Sequence, residues 1–270
     1  MTKKLSIVLL LMIVSIVFSF LHLGCFQQNP PDETKSKTVS ITEQTIAHTT
    51  HALVDMSTYE KKVDRAVTFY RQKLRHRPKN KALILALGGS STGGMSNQDY
   101  HFWPAYLQKK MPQYHIQSIA VGGATTWHIA KILQRLGVHA EYCILYAGHN
   151  DRMQSSPRQS LAQLEHGKAP NQSGFTSWVL PSEIPQNIDT ISNFCENIFG
   201  MEEYVVSDAE PLDDFIKALQ NHPKVTYIAI TKELAQKNSK TIMHDNIHFR
   251  PYGHEVFAEI LFEKLQDLGL

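Results

Sequence analysis

Along residues 57–270, short apolar runs alternate with stretches whose apolar residues recur every three or four positions. The runs Ala82–Leu87, His115–Val121, Glu141–Ala147, Glu203–Ser207 and Thr226–Thr231 each predict a strand. Helical spacing covers Tyr100–Lys110, Trp127–Leu136, Ser182–Ile198, Leu212–Asn221 and, last, Tyr252–Leu268. Ahead of the first strand, Ser57-Thr58-Tyr59-Glu60 has the spacing of a capping box, and Val63, Val67, Tyr70 and Leu74 follow at helical intervals up to Pro78. A helix therefore opens the domain. Strands that alternate with helices pair in parallel, because each parallel pairing needs a crossover connection and each sheet face needs cover. The expected architecture is a three-layer α/β/α domain around five strands.

The polarity pattern changes at the N-terminus. Lys3 and Lys4 precede an uncharged apolar run from Leu5 to Leu21, which reads as an export signal. Its end, Gly24-Cys25, resembles a bacterial lipobox, in which the Cys receives lipid after cleavage; His22 stands where an aliphatic residue is usual. The run is near the lower length of a membrane span, so an uncleaved signal anchor is the alternative. On either reading the body lies beyond the inner membrane, in the periplasm or at the cell surface. Residues 26–56 are polar and poor in aromatics, the composition of a flexible tether. The expected organisation is thus signal or anchor over 1–25, tether over 26–56 and folded domain over 57–270, with the motif-bearing core at 82–270. Within that core, Arg152–Leu180 is long and polar, either a lid over a site or a solvated insertion.

Composition narrows the partners. A net charge of +2, with 19% charged residues, lacks the basic excess of a nucleic-acid binder. Fourteen His would suggest a metal, but neither His-Glu-x-x-His nor Cys-x-x-Cys occurs, and most of these His are expected at the surface. If Cys25 carries lipid, Cys143 and Cys195 remain. They could pair in an oxidising compartment. Cys143, however, sits in an apolar strand-like run where a free Cys packs as a small hydrophobe, so two buried thiols are the expectation.

Candidate chemistry falls in four places. The first strand runs into Gly88-Gly89-Ser90-Ser91-Thr92-Gly93-Gly94, at the carboxyl end where parallel sheets bind ligands. Glycines there let the backbone turn sharply, and the amides of such a turn can face a developing negative charge. The same glycines could cradle a phosphate, although the Lys of a Walker loop is missing. Val121-Gly122-Gly123-Ala124-Thr125 follows the second strand, and Gly148-His149-Asn150-Asp151 the third; the bland readings are a tight turn and helix caps. The fourth block is Asp245-Asn246-Ile247-His248, followed by Gly253-His254. A carboxylate three residues before an imidazole can bond its Nδ1 hydrogen, leaving Nε2 free to take a proton from a serine. A metal site from His244, His248 and His254 is the competing idea, without a strong ligand pattern.

Taken together these blocks resemble the SGNH (GDSL-type) hydrolases, whose Ser, Gly, Asn and His stand in four blocks in that order, here Ser90, Gly123, Asn150 and His248. The resemblance runs from about Ala82 to Leu270. It implies a flavodoxin-like five-stranded parallel sheet and a shallow site in which Ser90 attacks an ester carbonyl. The resemblance also implies that the backbone N–H groups of Ser90 and Gly123 and the Asn150 side chain form the oxyanion hole, that His248 is general base and acid, and that Asp245 orients it. No cofactor or metal is implied. The substrate would be an O-acetyl, short-chain or lipid ester, of a small molecule or a glycan. O-acyl transfer to a cell-envelope glycan and a non-catalytic carbohydrate-binding module are the alternatives, and oligomeric state is not legible. Gly89 departs from the family, which commonly has Asp there, so the pocket is expected to lack a carboxylate. Gly89-Ser90-Ser91-Thr92-Gly93 also matches the Gly-x-Ser-x-Gly elbow centred on Ser91. That elbow normally follows several strands, with acid and His far apart, so Ser90 is the expected nucleophile and Ser91 the alternative.

Overall fold

Strand β1 (Leu83–Gly88) is buried along its whole length, and its alternating side chains divide the core into two halves. Leu83, Leu85 and Leu87 enter one apolar cluster, while Ile84 and Ala86 enter another across the sheet. The computed structural model describes residues 59–95, 101–152, 179–206 and 212–270. These belong to the second of two units into which the chain divides, Thr45–Leu270. The apolar run at 5–21, Cys25, the tether, Ser57 and residues 153–178 lie outside the described residues. Among the described residues no helix is long and apolar enough to cross a membrane.

Five strands, β1, β2 (His115–Ala120), β3 (Ala140–Ala147), β4 (Cys195–Glu202) and β5 (Val225–Tyr227), form one sheet in the order β2-β1-β3-β4-β5. All four pairings are parallel. Helix α1 (residues 59–75) covers the face of Leu83, Leu85 and Leu87, burying Val63, Val67 and Tyr70 at the spacing read from the sequence. The same cluster takes Trp127 and Ile132 from α3 (Thr126–Leu136), Ile188 from α5 (Ile184–Ser192) and Leu219 from α6 (Asp213–Asn221). The opposite face is covered by α2 (Trp103–Lys110) and by α9 (Pro251–Asp267), whose Phe257 and Leu261 are fully buried. Each such side chain contributes roughly 1.5–3 kcal/mol. Short helices α4 (His149–Arg152), α7 (Thr231–Ala235) and α8 (Ser239–Ile242) complete the three layers. The strand order turns back between β1 and β3, and it is at the carboxyl ends of such strands that a crevice opens.

The structure moves the fourth strand, shortens the fifth from the expected Thr226–Thr231 to Val225–Tyr227, and adds one bond. The fourth strand is Cys195–Glu202, not Glu203–Ser207, and the helix before it stops at Ser192 rather than Ile198. The inner part of this strand is buried on both faces and has no polar alternation, so its start, Cys195–Ile198, reads as the continuation of the helical stripe before it. The two thiols expected to be free form a disulfide, Cys143–Cys195, between β3 and β4, with Cα atoms 5.8 Å apart. The two are not opposite one another in the strand register, which sets Ala140 beside Cys195 and Cys143 beside Ile198. Two of the His are also interior, His128 and His254.

At the β2 edge, backbone groups are met by side chains. The Ile116 N–H donates to Gln108 Oε1 at 2.8 Å, and Gln117 Nε2 donates to Ser118 O at 2.8 Å. The Ala120 N–H donates to the Tyr70 hydroxyl at 3.0 Å, and that hydroxyl donates to Ala120 O at 2.5 Å. At the other edge, β5 spans three residues.

Candidate active site

β1 ends at Gly88, and the chain turns at once: the N–H groups of Thr92 and Gly93 both donate to Gly89 O, at 3.1 and 3.2 Å. The turn lifts the half-buried Ser90 out of the sheet and places its Oγ 2.7 Å from His248 Nε2. The adjacent Ser91 is turned inward, 1% exposed, with its hydroxyl donating to Ile247 O at 3.3 Å. Of the two serines, Ser90 alone faces the imidazole.

His248 comes from the loop between α8 and α9, and that loop is clasped at its neck. Met243 and Phe249 form an antiparallel bridge, Arg250 N–H donates to Ile242 O at 2.8 Å, and Arg250 Nε donates to Met243 O at 2.7 Å. Inside the clasp, Asp245 Oδ2 lies 2.7 Å from His248 Nδ1. Asp245 Oδ1 accepts from the backbone N–H groups of Ile247 and His248, at 2.8 and 2.7 Å. Slight burial works against ionisation of Asp245, but those two N–H groups and the ring outweigh it and hold the carboxyl well below the usual carboxylate range. The side chains of His248 and Asp245 are 42% and 48% exposed, so the pair stands at a shallow surface. Both ring nitrogens of His248 are thus engaged by Ser90 and Asp245, while His254 is buried with its ring against Phe102 and Phe249. His244, His248 and His254 do not converge on one point.

Gly123 and Asn150 lie on the other side of Ser90. Gly123 adopts φ +67°, a conformation that favours glycine, in the turn closed by the bond from Ala124 N–H to Val121 O at 2.8 Å. Asn150 Nδ2 donates to Ala124 O at 3.0 Å, which uses one of its two hydrogens and leaves the second for a ligand. A Cβ on Gly89 would come within 2.8 Å of that same nitrogen, so the nucleophile turn and the Asn150 amide touch because residue 89 has no side chain. Among the described residues the N–H groups of Ser90 and Gly123 donate to no backbone carbonyl outside regular helices and strands. The structure therefore brings Ser90, Asp245, His248, Asn150 and Gly123 to one crevice, whereas Cys25 lies outside the described residues.

Two buried carboxyls lie behind this crevice, Asp151 of the third block and Glu203, which no motif marks. Glu203, one residue past β4 and 4% exposed, accepts from the His149 N–H at 3.1 Å, and its carboxyl also bonds Ser91. Its Oε1 lies 3.5 Å from where a Gly89 Cβ would be. A carboxyl group thus does stand beside residue 89, brought there by the residue that follows β4. Burial, with Asp151 nearby, pushes Glu203 up to about 8, so at neutral pH it carries a proton. Asp151 accepts from Thr126 N–H at 2.9 Å and Thr126 Oγ1 at 2.5 Å, tying α4 to the start of α3; burial pushes it up to about 7. At that same helix start, His128 replaces the usual Glu of a capping box, its Nδ1 accepting from Thr125 N–H at 3.2 Å, and burial lowers it to about 3. Glu202 and Glu203 follow the apolar run of β4, and both are buried, 5% and 4% exposed.

The GDSL-like lipase/acylhydrolase family model matches residues 86–256. A structure from Streptococcus pneumoniae, described as a platelet activating factor, is similar at TM-score 0.52 and 16% identity, over 79% of this chain and 96% of that one. A lipolytic-type protein of the G-D-S-L family from Desulfitobacterium hafniense is similar at 0.50 and 12%, over 68% and 99%. A variant acetyl-xylooligosaccharide esterase from Geobacillus stearothermophilus is similar at 0.50 and 14%, over 72% and 97%. Among curated proteins none matches the chain. The matched span holds every crevice residue, from Ser90 to His248, and the chain belongs to the GDSL-like lipase/acylhydrolase family, hydrolases of ester bonds.

Proposed function

We propose that the protein is an extracytoplasmic serine esterase that removes acyl groups through an acyl-enzyme on Ser90. The observation that carries this is the continuous line Asp245 Oδ2, His248 Nδ1, His248 Nε2, Ser90 Oγ, with both separations at 2.7 Å. Ser90 Oγ attacks the ester carbonyl carbon as its proton passes to His248 Nε2, and Asp245 holds the imidazolium. The carbonyl oxygen, now negative, takes hydrogen bonds from the N–H groups of Ser90 and Gly123 and from the second Asn150 hydrogen. The tetrahedral adduct collapses, the C–O bond to the alcohol breaks, and His248 returns the proton to the leaving oxygen. Water activated by His248 then releases the acid and restores Ser90.

Esters with a short acyl group suit a shallow site, and an acetylated glycan is the first class to test. The disulfide Cys143–Cys195 supports a compartment outside the cytoplasm, since such bonds persist where thiols are not kept reduced. The apolar run at 5–21 and Gly24-Cys25 support delivery there, with Cys25 as the lipidated anchor.

The test is hydrolysis of acetyl, butyryl and longer esters by wild type and Ser90→Ala, together with labelling by a fluorophosphonate. Wild type should turn over the short esters and label once, and Ser90→Ala should do neither while unfolding at the same temperature. A wild-type chain that neither hydrolyses nor labels, or an Ser90→Ala chain that still labels, overturns the proposal.

A further inference from the structure

A hollow of about 500 Å³ adjoins the crevice on the Gly123 side, lined by Lys61, Lys62, Arg65, Met95, Val121 and Gly122. Three of these six are cations from one turn of α1, and none of the six is an anion. The acidic residues of that turn, Glu60 and Asp64, are drawn to the far side of the helix, where both pair with Arg135 of α3. Positions 60 and 64 share one face and 61 and 65 the next, so the helix sorts its charges, negative toward α3 and positive toward the hollow. Among the described residues no carboxylate pairs with Lys61, Lys62 or Arg65. Lys62 reaches furthest in: its Nζ lies 3.4 Å from where a Cβ on Gly123 would be, beside the backbone that faces the developing oxyanion. It is half-buried, and that burial lowers its pKa, the mark of a cation that has lost water without gaining a partner.

We infer that this hollow is a subsite for an anionic group, a carboxylate or phosphate, carried by the ester that Ser90 cleaves. The inference rests on the esterase reading and names the substrate class within it. An anion seated there would restore to Lys62 the interaction that burial removed, and Lys61 and Arg65 at the rim would draw it in. Such attraction weakens with salt. A neutral ester of the same size would meet only the walls.

The experiment uses the full chain and two matched pairs of esters. In one pair the anion is on the acyl side, 4-nitrophenyl hemisuccinate against 4-nitrophenyl butyrate. In the other it is on the alcohol side, the acetyl ester of 4-hydroxy-3-nitrobenzoate against 4-nitrophenyl acetate. For each pair the readout is the anionic-to-neutral ratio of kcat/KM in wild type, divided by that ratio in Lys62→Met and in Lys61→Ala/Arg65→Ala, so the intrinsic reactivity of the esters cancels. At least one pair should show a quotient of about five to ten for each variant, through KM and diminished at high salt; which pair responds tells whether the acid or the alcohol occupies the hollow. The rim residues are exposed, so the double variant tests the subsite even where Lys62→Met disturbs the Gly123 turn. Quotients near one in both pairs, with neutral esters still hydrolysed, overturn the subsite alone. No turnover of any ester by wild type overturns the subsite and the esterase reading together.

Discussion

Asn150 holds its amide in place with one hydrogen, and on the proposed mechanism the other meets the oxyanion. The bond to Ala124 O fixes the side chain before any substrate arrives, so none of its orientation has to be gained during reaction. Asn150→Ala is expected to lower kcat by about 100-fold to 1,000-fold with little change in KM, read from steady-state kinetics on a neutral short ester. Residue 89 offers a sharper test, because the space of its absent side chain is shared by Asn150 Nδ2 and Glu203 Oε1. Gly89→Asp would restore the common family residue yet push Asn150 aside and crowd a second carboxyl against a buried one. It should therefore lose most of kcat, and Gly89→Asp with Glu203→Gln should recover part of it, a coupling that a double-mutant cycle measures. Ser90, Gly123, Asn150, Asp245 and His248 were legible because each sits in a short local pattern. Glu203 was not, since its place is set against Ser91 and Gly89, 112 and 114 positions away in the chain, and no local pattern records that.

Elements were legible wherever a local pattern marks their limits. Helices α3 and α9 and strands β1 to β3 fall within a residue or two of their expected limits, because amphipathic periods or punctuating glycines mark them. β4 has neither mark, and its mislocation also hid the disulfide, whose second Cys is the first residue of that strand. The bond closes a loop across 52 positions that contains α4 and α5. Chain-entropy reasoning gives such a closure about 4 kcal/mol. Replacing both Cys by Ala, or reducing the bond, should lower the unfolding temperature by several degrees, which a thermal melt with and without reductant would register. An unchanged melt would mean that the reduced chain keeps its β3–β4 pairing at no cost.

For the molecule as a whole, four buried titratable groups set a pH window. Asp151 and Glu203 are raised by burial from 3.8 and 4.5 to about 7 and about 8. The folded state keeps protons that the unfolded chain gives up, so their stabilisation is full below the unfolded values and is lost as pH rises through 7 to 8. His128 and His254 are lowered by burial from 6.5 to about 3 and about 4. There the folded state refuses protons that the unfolded chain accepts, so stability falls as pH drops from 6.5 toward those values. The two trends oppose each other in mildly acidic solution. The unfolding temperature should be highest at about pH 4.5 to 6.5 and decline on both sides, and Glu203→Gln should flatten the alkaline decline; melts across the pH range check both.

The side chains along β2 bear on something beyond the single molecule. A sheet that ends in free N–H and C=O groups is a template on which a strand from another chain can lie. Here Gln108, Gln117 and Tyr70 occupy the N–H groups of Ile116 and Ala120 and the carbonyls of Ser118 and Ala120 at one edge, and the strand at the other edge is only three residues long. A concentrated stock of purified protein brings many copies edge to edge. This sheet gives them nowhere to extend, so copies can meet often without seeding a growing stack.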